Sequence, residues 1–287
     1  MTTLRIATCQ YEPRIGEVDH NRELAVAQLG KAAAAGAHLV VLPELGSSGY
    51  VFSSDAEVDA TSETANGRFV DAVARVCREH AMHVVAGINE RGDGCRYNSA
   101  VCIGPDGVMA TYRKVQLFHD EQKWFAPGDG LVVVDLPWGR LGMLICFDLW
   151  FPEIARGMAL AGAEVIAVPT NWVSSFKPTV YDERGFCQGN YVAMATAAQN
   201  GVVMACADRV GLERGSQFLG ASIIVGADGW PVAGPAGHDN EELLVADIDL
   251  ASVAAARQRT PTNHLVESRR PAAYNAVVVG SHTGSSR

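Results

Sequence analysis

The segment Ala35-Gly-Ala-His-Leu-Val-Val-Leu-Pro43 returns 126 residues later as Ala161-Gly-Ala-Glu-Val-Ile-Ala-Val-Pro169. Each copy reads as a helix end, a glycine cap, a buried strand and a proline that cannot continue the pairing. A second pair, Ile103-Gly-Pro-Asp-Gly107 and Val225-Gly-Ala-Asp-Gly229, recurs at an offset of 122. Both are apolar strands entering an Asp-Gly hairpin turn. Two matched halves in one chain predict two similar sheets related by a pseudo-two-fold. The competing reading is chance recurrence of a helix-glycine-strand-proline pattern that is common in α/β proteins.

The rest of the chain fits an α/β layout. Short apolar runs predict strands at Leu4 to Gln10, Leu39 to Leu42, Val84 to Ile88, Ser99 to Ile103, Val108 to Tyr112, Leu141 to Phe147, Val165 to Val168, Val202 to Ala205, Ser222 to Val225 and Leu243 to Ile248. Phe69, Val73, Val76, Cys77 and His80 fall on one helical face. Further helices are predicted near Asn21 to Ala35, Glu153 to Ala161, Val180 to Gln199 and Leu250 to Arg257. Strands this apolar on both faces need cover on both sides, so sheet packed on sheet with helices outside is the simplest arrangement. No Pro/Ser-rich linker divides the 287 residues, which predicts a single domain over residues 1–287. The tail at 280–287 is expected to be mobile or to dock at a subunit interface.

With 23 Lys and Arg against 32 Asp and Glu, the net charge is −9. Its field repels phosphate backbones, so nucleic acid is not an expected partner. The longest apolar stretches hold about a dozen residues against the roughly 20 a spanning helix needs, and the first residues lack a signal-peptide pattern, so the expected location is cytoplasmic, away from membranes. The seven cysteines include no C-x-x-C pair, and no zinc signature is complete, so neither metal nor disulfide framework is expected.

Four residues can carry chemistry. Glu44 follows the run Leu39 to Pro43, where a buried strand leaves its sheet; alone, it reads as a strand-end charge facing water. Lys114 follows the strand Val108 to Tyr112 and by itself solvates an edge. Glu121 lies in a loop, Phe118 to Gly128, whose aromatics suit a pocket wall as well as a surface. Cys146 ends an apolar strand just before Pro152, which can open a helix. That strand-nucleophile-helix order exposes a thiol and aims backbone N–H groups at an oxyanion, although a lone cysteine there is otherwise core.

Taken together, P-E, Y-R-K-x-x-L-F-x-x-E and L-I-C-F-D-x-W-F-P-E, in that order, resemble the motifs of the nitrilase superfamily of carbon–nitrogen hydrolases. The resemblance runs from about Leu4 to Asp249 and includes G-A-x-L-V-V-L-P-E, N-S-A and G-A-E-V-I-A-V-P-T. It implies a four-layer α-β-β-α sandwich of two mixed sheets, pairing into a homodimer or higher homo-oligomer, no cofactor, and a catalytic triad of Glu44, Lys114 and Cys146, with Glu121 as a second glutamate. The residue types suit the chemistry. A thiolate is the strongest side-chain nucleophile near neutral pH, so Cys146 would form a thioester. Glu44 would take its proton, hand it to the departing amine and then activate water. Lys114 and the Phe147 N–H would stabilise the oxyanion and favour the thiolate, while Glu121 would orient the substrate amide and hold Lys114.

Nitrilases carry C-W-E-N after the cysteine, whereas this chain has C-F-D-L-W-F-P-E, which looks like the amidase and carbamoylase branches. Members that bind a substrate carboxylate carry arginine near the positions of Leu149 or Trp150; here only Arg184 is a candidate. Trp124, Trp150, Trp172 and Phe176, together with Tyr50, Phe147 and Asn171, are the expected substrate-binding residues. The expected reaction is hydrolysis of a primary amide with an apolar acyl group, ahead of an N-carbamoyl amine, a nitrile, or a non-catalytic binding role. The apolar segment Tyr274 to Val279 and the helix after Tyr181 are the expected faces for a twin subunit.

Overall fold

The computed structural model describes residues 3–174 and 180–274. Among them, twelve strands make two six-stranded mixed sheets. The first is ordered β12 (Glu242–Asp249), β1 (Thr3–Gln10), β2 (Leu39–Val41), β3 (His83–Arg91), β4 (Arg96–Gly104), β5 (Gly107–Arg113), and the second β6 (Val132–Leu136), β7 (Gly139–Met143), β8 (Val165–Pro169), β9 (Val203–Ala207), β10 (Ile223–Val225), β11 (Pro231–Ala233). Written this way the two sheets match strand for strand. In each, the first pair is antiparallel, the next two are parallel and the last two antiparallel. The repeated segments form β2 and β8 at equivalent central positions, and the repeated Asp-Gly turns close β4–β5 and lead from β10 to β11. The internal similarity read from the sequence is therefore a duplication of topology.

Helices fill the matched crossovers. α1 (Val18–Ala34) joins β1 to β2, as α5 (Pro152–Leu160) joins β7 to β8; α2 (Asp55–Thr61) and α3 (Arg68–His80) join β2 to β3, as α6 (Gln188–Asn200) joins β8 to β9. Alternation sorts the strand residues into layers. Leu4, Ile6, Leu39, Val41 and Val85 face the second sheet. Ala7, Cys9, Val40, Leu42 and Val84 pack outward on Leu29 of α1 and on Phe69, Val73 and Cys77 of α3. On the opposite side Ile154 and Met158 of α5 and Ala193 and Ala197 of α6 cover the second sheet. The result is the four-layer α-β-β-α sandwich, each fully buried Leu or Ile adding roughly 1.5–3 kcal/mol of transfer free energy. No helix among the described residues is long and apolar enough to cross a membrane.

Three differences from the sequence reading lie next to the site or its cavity. The helix expected from Val180 begins at Gln188, because Asp182 accepts the backbone N–H groups of Arg184 and Phe186 at 2.9 and 2.8 Å and Gly185 turns the chain at φ +82°. The strand expected to run to Phe147 stops at Met143, and Cys146–Trp150 form a 3₁₀ turn. Glu121 opens a single helical turn, α4 (Glu121–Trp124), instead of lying in an irregular loop. The strand β6 was not expected, although Leu131-Val-Val-Val-Asp-Leu136 between Gly130 and Pro137 carries the β-branched composition of one. The short helix α7 (Ala251–Arg257) falls where expected, and α8 (Pro271–Tyr274) ends the described chain. Phe176 and the segment after Tyr274, with the tail at 280–287, lie outside the described residues.

Candidate active site

Strand ends of both halves supply the site. Glu44 sits just past β2 and the Pro43 stop, Lys114 just past β5, Cys146 three residues past β7, and Asn171 two residues past β8. The backbone at Glu44 lies hard against β3, where Gly87 makes room: a Cβ there would stand 2.6 Å from the Glu44 Cα and 2.5 Å from the Pro43 oxygen.

Contrary to what isolated strand-end charges do, Glu44, Lys114 and Glu121 are 1%, 0% and 4% exposed. Lys114 Nζ donates to Glu44 Oε1 at 2.6 Å and to Glu121 Oε1 at 2.7 Å, so one ammonium bridges two carboxylates. Asn98 Nδ2 donates to the same Glu44 oxygen at 2.6 Å. The Tyr50 hydroxyl donates to Glu121 Oε1 at 2.7 Å and the Phe118 N–H to Oε2 at 3.1 Å. Buried charges survive only when paired and hydrogen-bonded in this way. The cluster still holds two carboxylates for one ammonium. Burial, opposed by Lys114 and reinforced by Glu121, pushes the Glu44 carboxyl up to about 7. The Lys114 ammonium is held protonated: burial works against its charge, but Glu121 and Glu44 outweigh it.

Cys146 is 5% exposed and takes φ +45° in the turn after β7, a conformation costly for a residue with a Cβ. Burial first, and then the charge of Glu44, push its thiol well above the usual value; Lys114, the Thr170 hydroxyl and the Asn171 N–H act in the opposite sense without prevailing. The Lys114 charge thus favours the thiolate, but burial and the charge of Glu44 outweigh it. Asn171 ties the two halves together, its side chain donating to the Glu44 carbonyl at 2.9 Å while its backbone faces the sulfur.

A model of the family described as carbon-nitrogen hydrolase matches residues 5–258. The chain belongs to the carbon–nitrogen hydrolase family. It is 38% identical over 273 residues to a protein named nitrilase from Pyrococcus abyssi, covering 94% of this chain and 99% of that one. It is 30% identical over 256 residues to an (R)-stereoselective amidase from Pseudomonas sp., covering 89% and 88%. Among solved structures, an amidase from Nesterenkonia sp. superposes with a TM-score of 0.75 at 27% identity, covering 95% of each chain. A variant of that amidase shows covalent addition of the acetamide moiety of fluoroacetamide at the active site cysteine.

In this carbon–nitrogen hydrolase Cys146 opens onto a cavity of about 290 Å³. Phe147, Trp150, Asn171 and Trp172 line it, joined by Phe118, Val180 and Leu219. The Trp172 indole lies flat against Gly189 at the start of α6, where a Cβ would be 2.5 Å from the ring. Tyr50 and Trp124 line a neighbouring cavity instead, on the Glu121 side. Arg184 does not reach either wall; its side chain is 69% exposed and is engaged by Asp182 and Tyr191.

Asp148, quoted in the motif but given no role from sequence, joins the elbow to the lysine segment. Fully buried, it accepts from the Ile145 N–H at 2.9 Å and the Tyr112 hydroxyl at 2.8 Å through Oδ2, and from the Gln116 N–H at 2.8 Å through Oδ1. One carboxylate thus fixes the strained turn at Cys146 to the residues flanking Lys114. Asp148→Asn exchanges one acceptor oxygen for an NH₂ that must face an N–H donor. The expected result is a kcat loss of about 10²-fold, because a shift of about 1 Å in the reacting groups costs that much, with KM for a small amide within threefold. A proportionate rise in KM instead would assign Asp148 to substrate binding.

Proposed function

We propose that this chain hydrolyses primary amides with uncharged, apolar acyl groups, R-CO-NH₂ + H₂O to R-COOH + NH₃, through a thioester on Cys146. The observation that carries the reading is the buried Lys114 bridge between Glu44 and Glu121, set within electrostatic reach of a strained cysteine that opens onto an apolar cavity. Glu44 takes the Cys146 proton as sulfur attacks the amide carbon, passes it to the departing ammonia, and then activates the water that releases the acid. Lys114 remains an ammonium throughout and stabilises the tetrahedral oxyanion.

The acyl preference follows from the cavity walls. Its described walls are mainly Phe118, Phe147, Trp150, Trp172, Val173 and Leu219, an apolar surface that favours an uncharged acyl group. Covalent addition at the active site cysteine of the Nesterenkonia amidase supports a nucleophilic sulfur at this kind of position. The name of the Pyrococcus relative favours a nitrile as the second substrate class. An ammonia-release screen over hexanamide, glutaramate, hexanenitrile and an N-carbamoyl amine tests the reading. Turnover of hexanamide at least tenfold above the others supports it; turnover confined to the nitrile or the carbamoyl amine overturns it.

The pH dependence has a definite sign. Attack requires Glu44 without its proton, so kcat/KM for hexanamide should fall with decreasing pH through an apparent pKa near 7, belonging to the cluster as a whole. It should stay level above that, because Lys114 holds its proton. An acid limb below about pH 5.5 would remove Glu44 from the role of base. Stability runs the other way for this group: its raised value stabilises the fold fully below the ordinary carboxylate range, and that contribution is lost as pH rises through about 7.

A further inference from the structure

The cavity that receives Tyr50 and Trp124 has no role in the reaction described so far. It measures about 270 Å³ and shares Phe118 and Val173 with the Cys146 cavity, so these two side chains are a common wall. Its other walls include Tyr50, Phe52, Glu121, Trp124 and Ser216. Glu121 and the Tyr50 hydroxyl bonded to it therefore stand between the lysine bridge and this second space.

We infer that the second cavity is a leaving-group subsite, and that the enzyme accepts N-substituted amides whose amine carries a small aromatic or alkyl group. The inference rests on the amidase reading above and adds the amine side to it. An amide whose acyl carbon meets Cys146, and whose N–H donates to Glu121, directs any nitrogen substituent past Glu121, into the space lined by Tyr50, Phe52 and Trp124. Ammonia needs about one water volume, roughly 30 Å³, and the cavity is several times larger. Its aromatic walls offer edge and face contacts to a ring. The reaction balances as before. The Cys146 sulfur bonds the acyl carbon as the C–N bond breaks, the thiol proton passes through Glu44 to the departing nitrogen, and R′NH₂ leaves. Water then supplies OH to the acyl carbon and a proton back to sulfur, giving R-CO-NHR′ + H₂O to R-COOH + R′NH₂.

The test pairs hexanamide with N-benzylhexanamide, measuring ammonia and benzylamine. The wild type should release benzylamine with a kcat/KM within about tenfold of that for hexanamide. Val51 lines the second cavity as Ser216 does, and neither lines the Cys146 cavity, so Ser216→Trp and Val51→Trp fill the second space from two walls. Each should lower kcat/KM for N-benzylhexanamide at least tenfold while leaving hexanamide within twofold. Ammonia from hexanamide with no benzylamine from its N-benzyl derivative overturns the subsite and leaves the amidase reading standing. Equal losses on both substrates in both variants also overturn it, by making the cavity a shared entrance. Turnover of neither substrate removes the amidase reading and the subsite with it.

Discussion

Lys114→Met is expected to abolish turnover and to destabilise the fold by about 3–5 kcal/mol at pH 8, the cost of breaking a buried ion pair from one side. Methionine occupies much of the volume of the lysine stem, so the loss is electrostatic more than steric. The ammonium donates to Glu44 Oε1 at 2.6 Å and to Glu121 Oε1 at 2.7 Å in a site with no exposure to water. Without it two carboxylates face each other unpaired, and burial drives the Glu44 carboxyl further toward its protonated form. A carboxyl whose folded value is raised stabilises the fold below its unfolded value and loses that contribution as pH rises. The deficit relative to wild type should therefore be smaller at pH 5 than at pH 8, read by chemical denaturation at both. A deficit below about 1 kcal/mol, equal at the two pH values, would mean that Lys114 is not charged in the folded protein.

Cys146→Ala separates chemistry from folding. The thiol is the bond-forming atom, and its removal should lower kcat for amide hydrolysis on the order of 10⁴-fold or more, as loss of a covalent nucleophile does. Stability should change by less than about 1 kcal/mol. Alanine carries the same Cβ at φ +45°, so the strain of the elbow is retained, and the deleted sulfur borders a cavity where neighbours are already open on one side. Retained ammonia release, with melting unchanged, would transfer the nucleophile to another group.

Much of the fold was legible because its signals are local and repeated. β2 and β8 are central, fully buried strands, each bracketed by a glycine-ended helix and a proline, and the bracket is what recurs at 126 residues. The start of α6 was not legible, because nothing in the period of residues 180–187 reveals that the Asp182 side chain captures two N–H groups. The charged residues of the site were found by motif, but their burial was not. Lys114 sits where edge lysines ordinarily meet water, and what seals it is α4, which starts seven residues on, together with Tyr50 and the strand pairing to Asn98. Asp148 went without a role for the same reason: two of its partners, Tyr112 and Gln116, are 36 and 32 residues away. Tyr50 and Trp124, expected beside Trp150 and Trp172, line the neighbouring cavity instead, because composition carries no information on which side of Phe118 an aromatic stands.

In the proposed reaction Cys146 carries the acyl group. Intact-protein mass spectrometry during turnover of a slowly hydrolysed amide tests it most directly, followed by digestion and sequencing of the modified peptide. The mass should rise by the acyl group, R-CO replacing the thiol hydrogen, and the adduct should map to the peptide containing Cys146, be absent from Cys146→Ala, and decay at the rate of acid formation. An adduct on any of the six other cysteines, or one that also forms in Cys146→Ala, would contradict it.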